Sequence, residues 1–247
     1  MKINKFKKVG KNKYKVFFEN TDITLHEDVI LKYDLLIRSD IDTDLIDKII
    51  EENRYYDVYE SALNYIEIKM RNKKEIIKYL INKGYDEVLI NKVIEKLEEL
   101  GLLNNKNYIT AYINDKINLS NDGPYKIKNS LLELDFSENE IDNYLNTINY
   151  EVWKDKLIKI INKKKNIMKS KSYYMFITKM KNDLYNLGYD KEMIDEELSK
   201  ISYESDSINK EFEKCFKKFK GDKYKITSSL LRKGYSYEEI NSKFNDN

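Results

Sequence analysis

Four nineteen-residue segments of this chain align with one another without a gap. They are IIKYLINKGYDEVLINKVI from Ile76, IKNSLLELDFSENEIDNYL from Ile127, MKNDLYNLGYDKEMIDEEL from Met180 and ITSSLLRKGYSYEEINSKF from Ile226. Starts at 76, 127, 180 and 226 place successive copies 51, 53 and 46 residues apart. Repetition at such periods marks architectures in which each unit buries its apolar face on its neighbours. The shared pattern is apolar-xxx-Leu-xxx-Gly-aromatic-(Asp/Ser)-xxx-Ile-xxx-apolar.

Each position of the pattern has a physical role. Gly84, Gly188 and Gly234 stand where a helix ends in a left-handed residue, and Asp135 fills that place in the second copy. The aromatic that follows (Tyr85, Phe136, Tyr189, Tyr235) packs back on the third helical residue from the end, the repeated Leu80, Leu131, Leu184 and Leu230. Asp86, Ser137, Asp190 and Ser236 are N-caps of the next helix, and Ser137 with Glu140 and Ser236 with Glu239 form capping boxes. The staple partners of the aromatics are Ile90, Ile141, Ile194 and Ile240. The motif therefore specifies two helices joined by a tight, aromatic-locked turn.

A further amphipathic helix precedes each pair, at 56–70, 106–117, 151–167 and 207–219. The unit is three helices, repeated four times. The first 25 or so residues differ: 5–9, 14–18 and 21–25 alternate apolar with polar residues and predict a small β-hairpin or three-stranded meander. Helical periodicity begins at Glu27, with Val29, Ile30, Tyr33, Leu36 and Ile37 on one face and Leu45, Ile46, Ile49 and Ile50 on another. The expected fold is all-α: tandem three-helix repeats in an elongated, curved array behind an N-terminal β element. The expected divisions are 1–55 for the β element and leading helices, then repeats at 56–104, 105–149, 150–204 and 205–247.

Much chemistry is excluded by what is scarce. No two of the seven glycines lie closer than 13 residues, which rules out phosphate and dinucleotide loops. One histidine, His26, and one cysteine, Cys215, rule out Cys/His zinc sites and leave almost no acid–base chemistry. His26 reads as structural, and Cys215, beside Phe216 and Phe219, as a packed thiol. Trp153 reads as core, with partner contact the lesser alternative. No catalytic residue, metal or cofactor is expected. A lone cysteine fits a reducing compartment, the basic N-terminus lacks the apolar stretch of a signal peptide, and no apolar run reaches membrane-spanning length. A cytoplasmic monomer is expected.

Charge carries one further signal. The formal net charge is only +2, whereas a protein devoted to coating DNA is far more basic. Yet residues 153–181 hold ten lysines and one acid, Asp155, while acids gather at 86–99 and 133–142. A run of charge is often only a solvated face; the alternative is contact with an anionic partner, nucleic acid or acidic protein. Lys163, Lys164, Lys165, Lys169 and Lys171 are the densest part of the run and the candidate partner-binding residues. The lysines from Lys2 to Lys15 are a weaker second candidate.

Within 62–145 the chain resembles the bacterial RecX family, regulators of the RecA recombinase. ALNYIEIKMRNKKEIIKYLINKGY resembles the family's first repeat, LEELGLLNNKNYITAYI its next helix junction, and DGPYKIKNSLLEL its Gly-x-(Lys/Arg)-Ile-xxx-Leu stretch. The N-terminal strands followed by LHEDVILKYDLL resemble the longer Gram-positive members. Asn105 stands where the family favours an acid, Asn72 where it favours Ser or Thr, and Asp135 where it favours Gly; all three are expected to cap or turn. The family's arginines are largely lysines here. The resemblance implies a non-enzymatic regulator lying in the groove of the RecA–DNA filament. It would inhibit strand exchange, ATP hydrolysis and coprotease activity, damping recombination, DNA repair and the SOS response. Direct contact with single-stranded DNA is a secondary expectation. Two other readings stay open, a nucleic-acid-binding protein using the basic third repeat and a helical scaffold for another protein.

The purified protein should neither hydrolyse ATP nor cleave DNA, and chelators should leave its unfolding temperature unchanged. Hydrolysis that a point mutation abolishes would overturn this.

Overall fold

The structure is a computed structural model that describes residues 1–168, 172–203 and 207–245. Chain order begins with three strands, β1 Ile3–Lys8, β2 Lys13–Phe18 and β3 Asp22–His26, and continues with helix α1 Glu27–Lys32. Four sets of three helices follow: α2 Thr43–Ile68, α3 Lys73–Asn82 and α4 Glu87–Glu99; α5 Asn105–Leu119, α6 Pro124–Leu132 and α7 Glu138–Leu145; α8 Tyr150–Ile167, α9 Tyr173–Asn186 and α10 Lys191–Ser199; α11 Ser207–Phe219, α12 Lys223–Arg232 and α13 Tyr237–Asn245. The strands form an antiparallel meander in the order β1-β2-β3. The all-helical repeat fold and the N-terminal sheet expected from the sequence are both present. Two compact units divide the chain, Met1–Tyr108 and Ile109–Asn247.

In the first unit, Val16, Phe18 and Leu25 of the sheet bury against Val29 and Ile30 of α1 and Ile46 and Ile49 of α2. The other half of α2 supplies Val58 and Ala62 to a second core with Leu80, Ile90, Val93 and Leu97. One helix thus serves two cores. The helix expected to start at residue 56 starts instead at Thr43, where the Asp42 carboxylate accepts the Leu45 amide. No proline or glycine interrupts it, so the backbone has no reason to break. The apolar face expected to run through Leu36 and Ile37 also stops early. Asp34 takes a left-handed conformation (φ 53°), and Leu35 donates to the Ile30 carbonyl. Leu35 is buried and Leu36 and Ile37 are exposed. His26 caps α1 and stacks on Tyr56, and so is structural.

The four repeated turns close identically. Tyr85, Phe136, Tyr189 and Tyr235 donate their amides to the carbonyls of Leu80, Leu131, Leu184 and Leu230 at 3.2–3.3 Å. The left-handed residues Gly84, Asp135, Gly188 and Gly234 have φ of 81°, 67°, 83° and 81°. Asp86, Ser137 and Asp190 cap the helices that follow, and Ser236 and Glu239 exchange the bonds of a capping box. The repeated leucines and isoleucines are all buried. Asn72 caps α3 in a capping box with Glu75; α5 is capped by Asn104, whose side chain accepts the Asn107 amide, and not by Asn105. Trp153 is buried on α8 with Leu157, Ile160 and Ile161, and Cys215 is buried 3.6 Å from the Ser229 hydroxyl.

Within the second unit, successive repeats meet end to end. Gly123 and Tyr125, at the start of α6, donate to the Leu187 and Gly188 carbonyls at the end of α9 (2.6 and 3.1 Å). Ser172, at the start of α9, donates its hydroxyl to the Lys233 carbonyl at the end of α12 (2.8 Å). Free helix-end carbonyls of one repeat therefore meet donors of its predecessor, satisfying groups a helix cannot satisfy internally. The fit is close: a Cβ on Gly188 would lie 2.3 Å from the Lys126 backbone nitrogen, whereas one on Gly84 would meet nothing within 4 Å.

This contrast is measurable by urea unfolding. Gly84→Ala should cost only the left-handed backbone term, about 1–2 kcal/mol. Gly188→Ala should cost roughly 1–3 kcal/mol more, because the joint must open. Equal losses would mean that the joint does not form. Leu184→Ala should cost roughly 2–5 kcal/mol.

Candidate partner-binding groove

The lysine-rich run lies mainly on α8. Asn149 caps this helix by accepting the Glu151 amide, and Lys164 and Lys165 occupy its last turn, where positive charge suits the helix dipole. Its buried stripe of Trp153, Leu157, Ile160 and Ile161 leaves the remaining faces to lysines. Along one of them, with the end of α5, runs a groove of about 680 Å³. It is lined by Lys156, Lys159, Lys163 and Lys164, by the apolar Ile117, Val152, Ile160 and Ile167, and by Asn118, Ser120 and Asn121; Asp155 is the one acid among them.

The lysines divide by what they hold. The Lys156 ammonium is half-buried and donates to the Lys116 and Asp122 carbonyls (2.9 and 3.3 Å), tying α8 to the end of α5. Burial pushes its pKa down. Asp122 accepts from Lys116 and Lys126 at 3.2 and 2.8 Å. Burial alone would raise its carboxyl, but these two ammonium groups outweigh it and hold the pKa below the ordinary carboxylate range. Burial, with Asp122 nearby, pushes the Tyr189 phenol up. Lys164 bridges to Asp183 of α9 at 2.5 Å, and there too ion pairing overcomes burial and lowers the carboxyl. Lys154, Lys179 and Lys181 also lie beside acids, at 2.7–3.9 Å.

Among the described residues, Lys159, Lys163 and Lys165 pair with no acid. Lys159 and Lys163 are one helical turn apart in the groove; Lys165, two residues on, does not line it. Of the five candidates, Lys163 and Lys164 are brought together in the groove, and Lys164 is engaged by Asp183. Lys169 and Lys171 lie outside the described residues. Lys159 was not singled out from the sequence. Its signal was spacing, four residues before Lys163 on an uncapped face, instead of local density. Exposed like charges a turn apart destabilise a helix slightly, so an anion seated between them relieves repulsion. Among the described residues, no cluster of three or more His, Cys, Asp or Glu side chains could hold a metal, and no helix is long and apolar enough to cross a membrane.

A family model described as "RecX, first three-helix domain" matches residues 59–97. The chain is 30% identical to regulatory protein RecX of Streptococcus agalactiae serotype V over 98% of both chains. It is 28% identical to regulatory protein RecX of Halalkalibacterium halodurans over 90% of this chain and 88% of the relative. A crystal structure described as regulatory protein RecX superposes with a TM-score of 0.69 at 21% identity, covering 78% of this chain and 97% of the other. RecX from Lactobacillus salivarius superposes with a TM-score of 0.56 at 29% identity, covering 61% of this chain and 99% of that one.

Acid should loosen the ties at the groove. Asp122 and Asp183 titrate below their unfolded values, and Glu211, bonded by Lys214 and Lys233, is held at about 2. Stability from depressed carboxyls is complete above an unfolded pKa near about 4 and is lost as pH falls through the folded value. The unfolding temperature should therefore drop between about pH 4 and about pH 2. Asp122→Asn should be less stable than the parent at neutral pH and show a shallower drop in acid. Parental behaviour at both would remove Asp122 from the tie.

Proposed function

The chain belongs to the RecX family, and from that premise we propose that it is a non-enzymatic regulator of RecA. In this reading it docks on the RecA–DNA filament and restrains strand exchange, ATP hydrolysis and coprotease activity in the cytoplasm. It thereby limits recombination, DNA repair and the SOS response.

The observation that supports this most directly is the groove on α8. Two ammonium groups that pair with no acid among the described residues, Lys159 and Lys163, share it with apolar and amide side chains. Such a surface suits an anionic macromolecular partner: the charges steer encounter and the apolar side chains add contact area on docking. Lys165 and the candidates Lys169 and Lys171 extend the same basic segment in sequence. Lys164 contributes mainly by fixing α8 to α9 through Asp183. The groove's mixture of lysines and amides also suits a phosphate backbone, so contact with filament DNA is the second reading.

The test is ATP hydrolysis by the same organism's RecA on single-stranded DNA, with this protein titrated in. Inhibition is expected, weakening with added salt. Lys159→Glu with Lys163→Glu should raise the half-inhibitory concentration about tenfold at low salt and flatten the salt dependence. Both substitutions are exposed and Glu sustains a helix about as well as Lys, so the fold should persist. Lys217→Glu with Lys218→Glu, on α11, is the control for net charge. A folded double variant that inhibits as well as the parent would remove the groove from docking. A parent with no effect on RecA would remove the regulatory reading itself.

A further inference from the structure

The second residue of α6, of α9 and of α12 is a tyrosine: Tyr125, Tyr174 and Tyr224. All three belong to the second unit, and they are 56%, 66% and 83% exposed. Packing at the repeat joints explains part of this. A Cβ on Gly234 would touch Tyr174, and the Tyr125 amide is bonded at the Gly188 turn. Tyr224 opens the second helix of the fourth repeat, and no turn among the described residues covers it. The ring is present at a position where the joint gives it no structural task.

Beside each tyrosine lies a hollow containing a second aromatic and a cation; the first two hollows also hold a carboxylate, Asp190 and Glu239, each engaged with backbone amides at a helix start. Tyr125 shares one of about 490 Å³ with Tyr185 and Lys191. Tyr174 shares one of about 600 Å³ with Tyr173 and Arg232. Tyr224 shares one of about 840 Å³ with Tyr237, Lys223 and the same Arg232. Lys191, Lys223 and Arg232 pair with no acid among the described residues. The joints fix the spacing. Tyr174 lies at the Gly234 turn, ten residues along the helix from Tyr224, or about 15 Å. The Tyr125 amide lies at the Gly188 turn, fourteen residues from Tyr174, or about 21 Å.

We infer that this row of exposed tyrosines with unpaired cations is a stacking platform for single-stranded nucleic acid, distinct from the α8 groove. Flat rings at intervals accept bases without reading their identity, and cations between them meet the phosphates. A duplex hides its base faces and would leave the rings unused. An acidic peptide would satisfy the cations but leaves several exposed phenol faces without a planar partner. The platform needs no recombinase and does not rest on the regulatory reading.

The test uses the full chain alone and a fluorescent oligothymidylate of about 20 nucleotides, followed by anisotropy at low salt. Oligouridylate of the same length should bind similarly, since stacking does not require the sugar hydroxyl. Tyr224→Ala should weaken binding about fivefold or more, and Tyr224→Phe, which keeps the ring, should not. Combining Tyr125→Ala, Tyr174→Ala and Tyr224→Ala should weaken it about a hundredfold or more. An abasic phosphodiester chain of the same length should bind the parent no better than oligothymidylate binds the triple variant. Because Tyr224 is almost free of packing, its single variant stays informative even if the triple variant unfolds. Parental affinity in Tyr224→Ala, or equal affinity for the abasic chain, would overturn the proposal. So would a parent that ignores oligonucleotides but retains polyglutamate, which would assign the cations to a protein partner. RecA is absent from every arm, so failure here leaves the filament reading intact, and loss of RecA inhibition leaves this one intact.

Discussion

A single hydrogen bond recurs between the second and third helices of every repeat: the amide three or four residues past the end of the second helix reaches back to the carbonyl of a buried leucine. It requires a left-handed residue in between, and it brings an aromatic side chain down on the end of the helix it has just left. The same bond fixes the direction in which the next helix departs, because the aromatic is followed at once by that helix's cap. The leucine and isoleucine on either side of the turn then have one place to go, and both are buried in every repeat. Without the turn, two amphipathic helices of about ten residues each would have no reason to hold together, since helices of that length are marginal alone.

Much of this was legible in the sequence because turn chemistry is local. A left-handed residue, an aromatic, a cap and a staple lie within a few positions, and each has a residue preference. Asp135 could be recognised in place of glycine because three sister segments supplied the register. Asp34 makes the same turn after α1 but has no sister, so the helical period was carried past it to Leu36 and Ile37. The start of α2 at Thr43 was missed for the opposite reason. One helix changes its buried face between two cores, and no single periodic stripe describes it.

The groove shows where sequence reading runs out. Ten lysines in 29 residues look alike in a string, but their partners are set by contacts between elements remote in sequence. Lys164 meets Asp183 and Lys156 meets the carbonyls of Lys116 and Asp122. Half-buried lysines that bridge helices are part of the scaffold, and their charge is largely spent inside it. What remains for a partner is the smaller set that faces solvent unpaired, of which Lys159 and Lys163 share the groove. Density along the chain therefore overstates the number of free charges on α8.

The end-to-end joints bear on how one unit can leave two separate surfaces open. A repeat that stacks broadside on its neighbour covers its helices along their length. Here the second helices of successive repeats also meet at their ends, where glycine permits close approach and backbone groups satisfy one another. The hollows of Tyr125 and Tyr174 lie beside these joints, and that of Tyr224 on the side of α12. The first helix of the third repeat is held at the groove itself, by Lys156 on the Asp122 carbonyl and Lys164 on Asp183, which leaves Lys159 and Lys163 exposed between them. Structural duty thus falls on helix ends and on half-buried lysines that bridge helices.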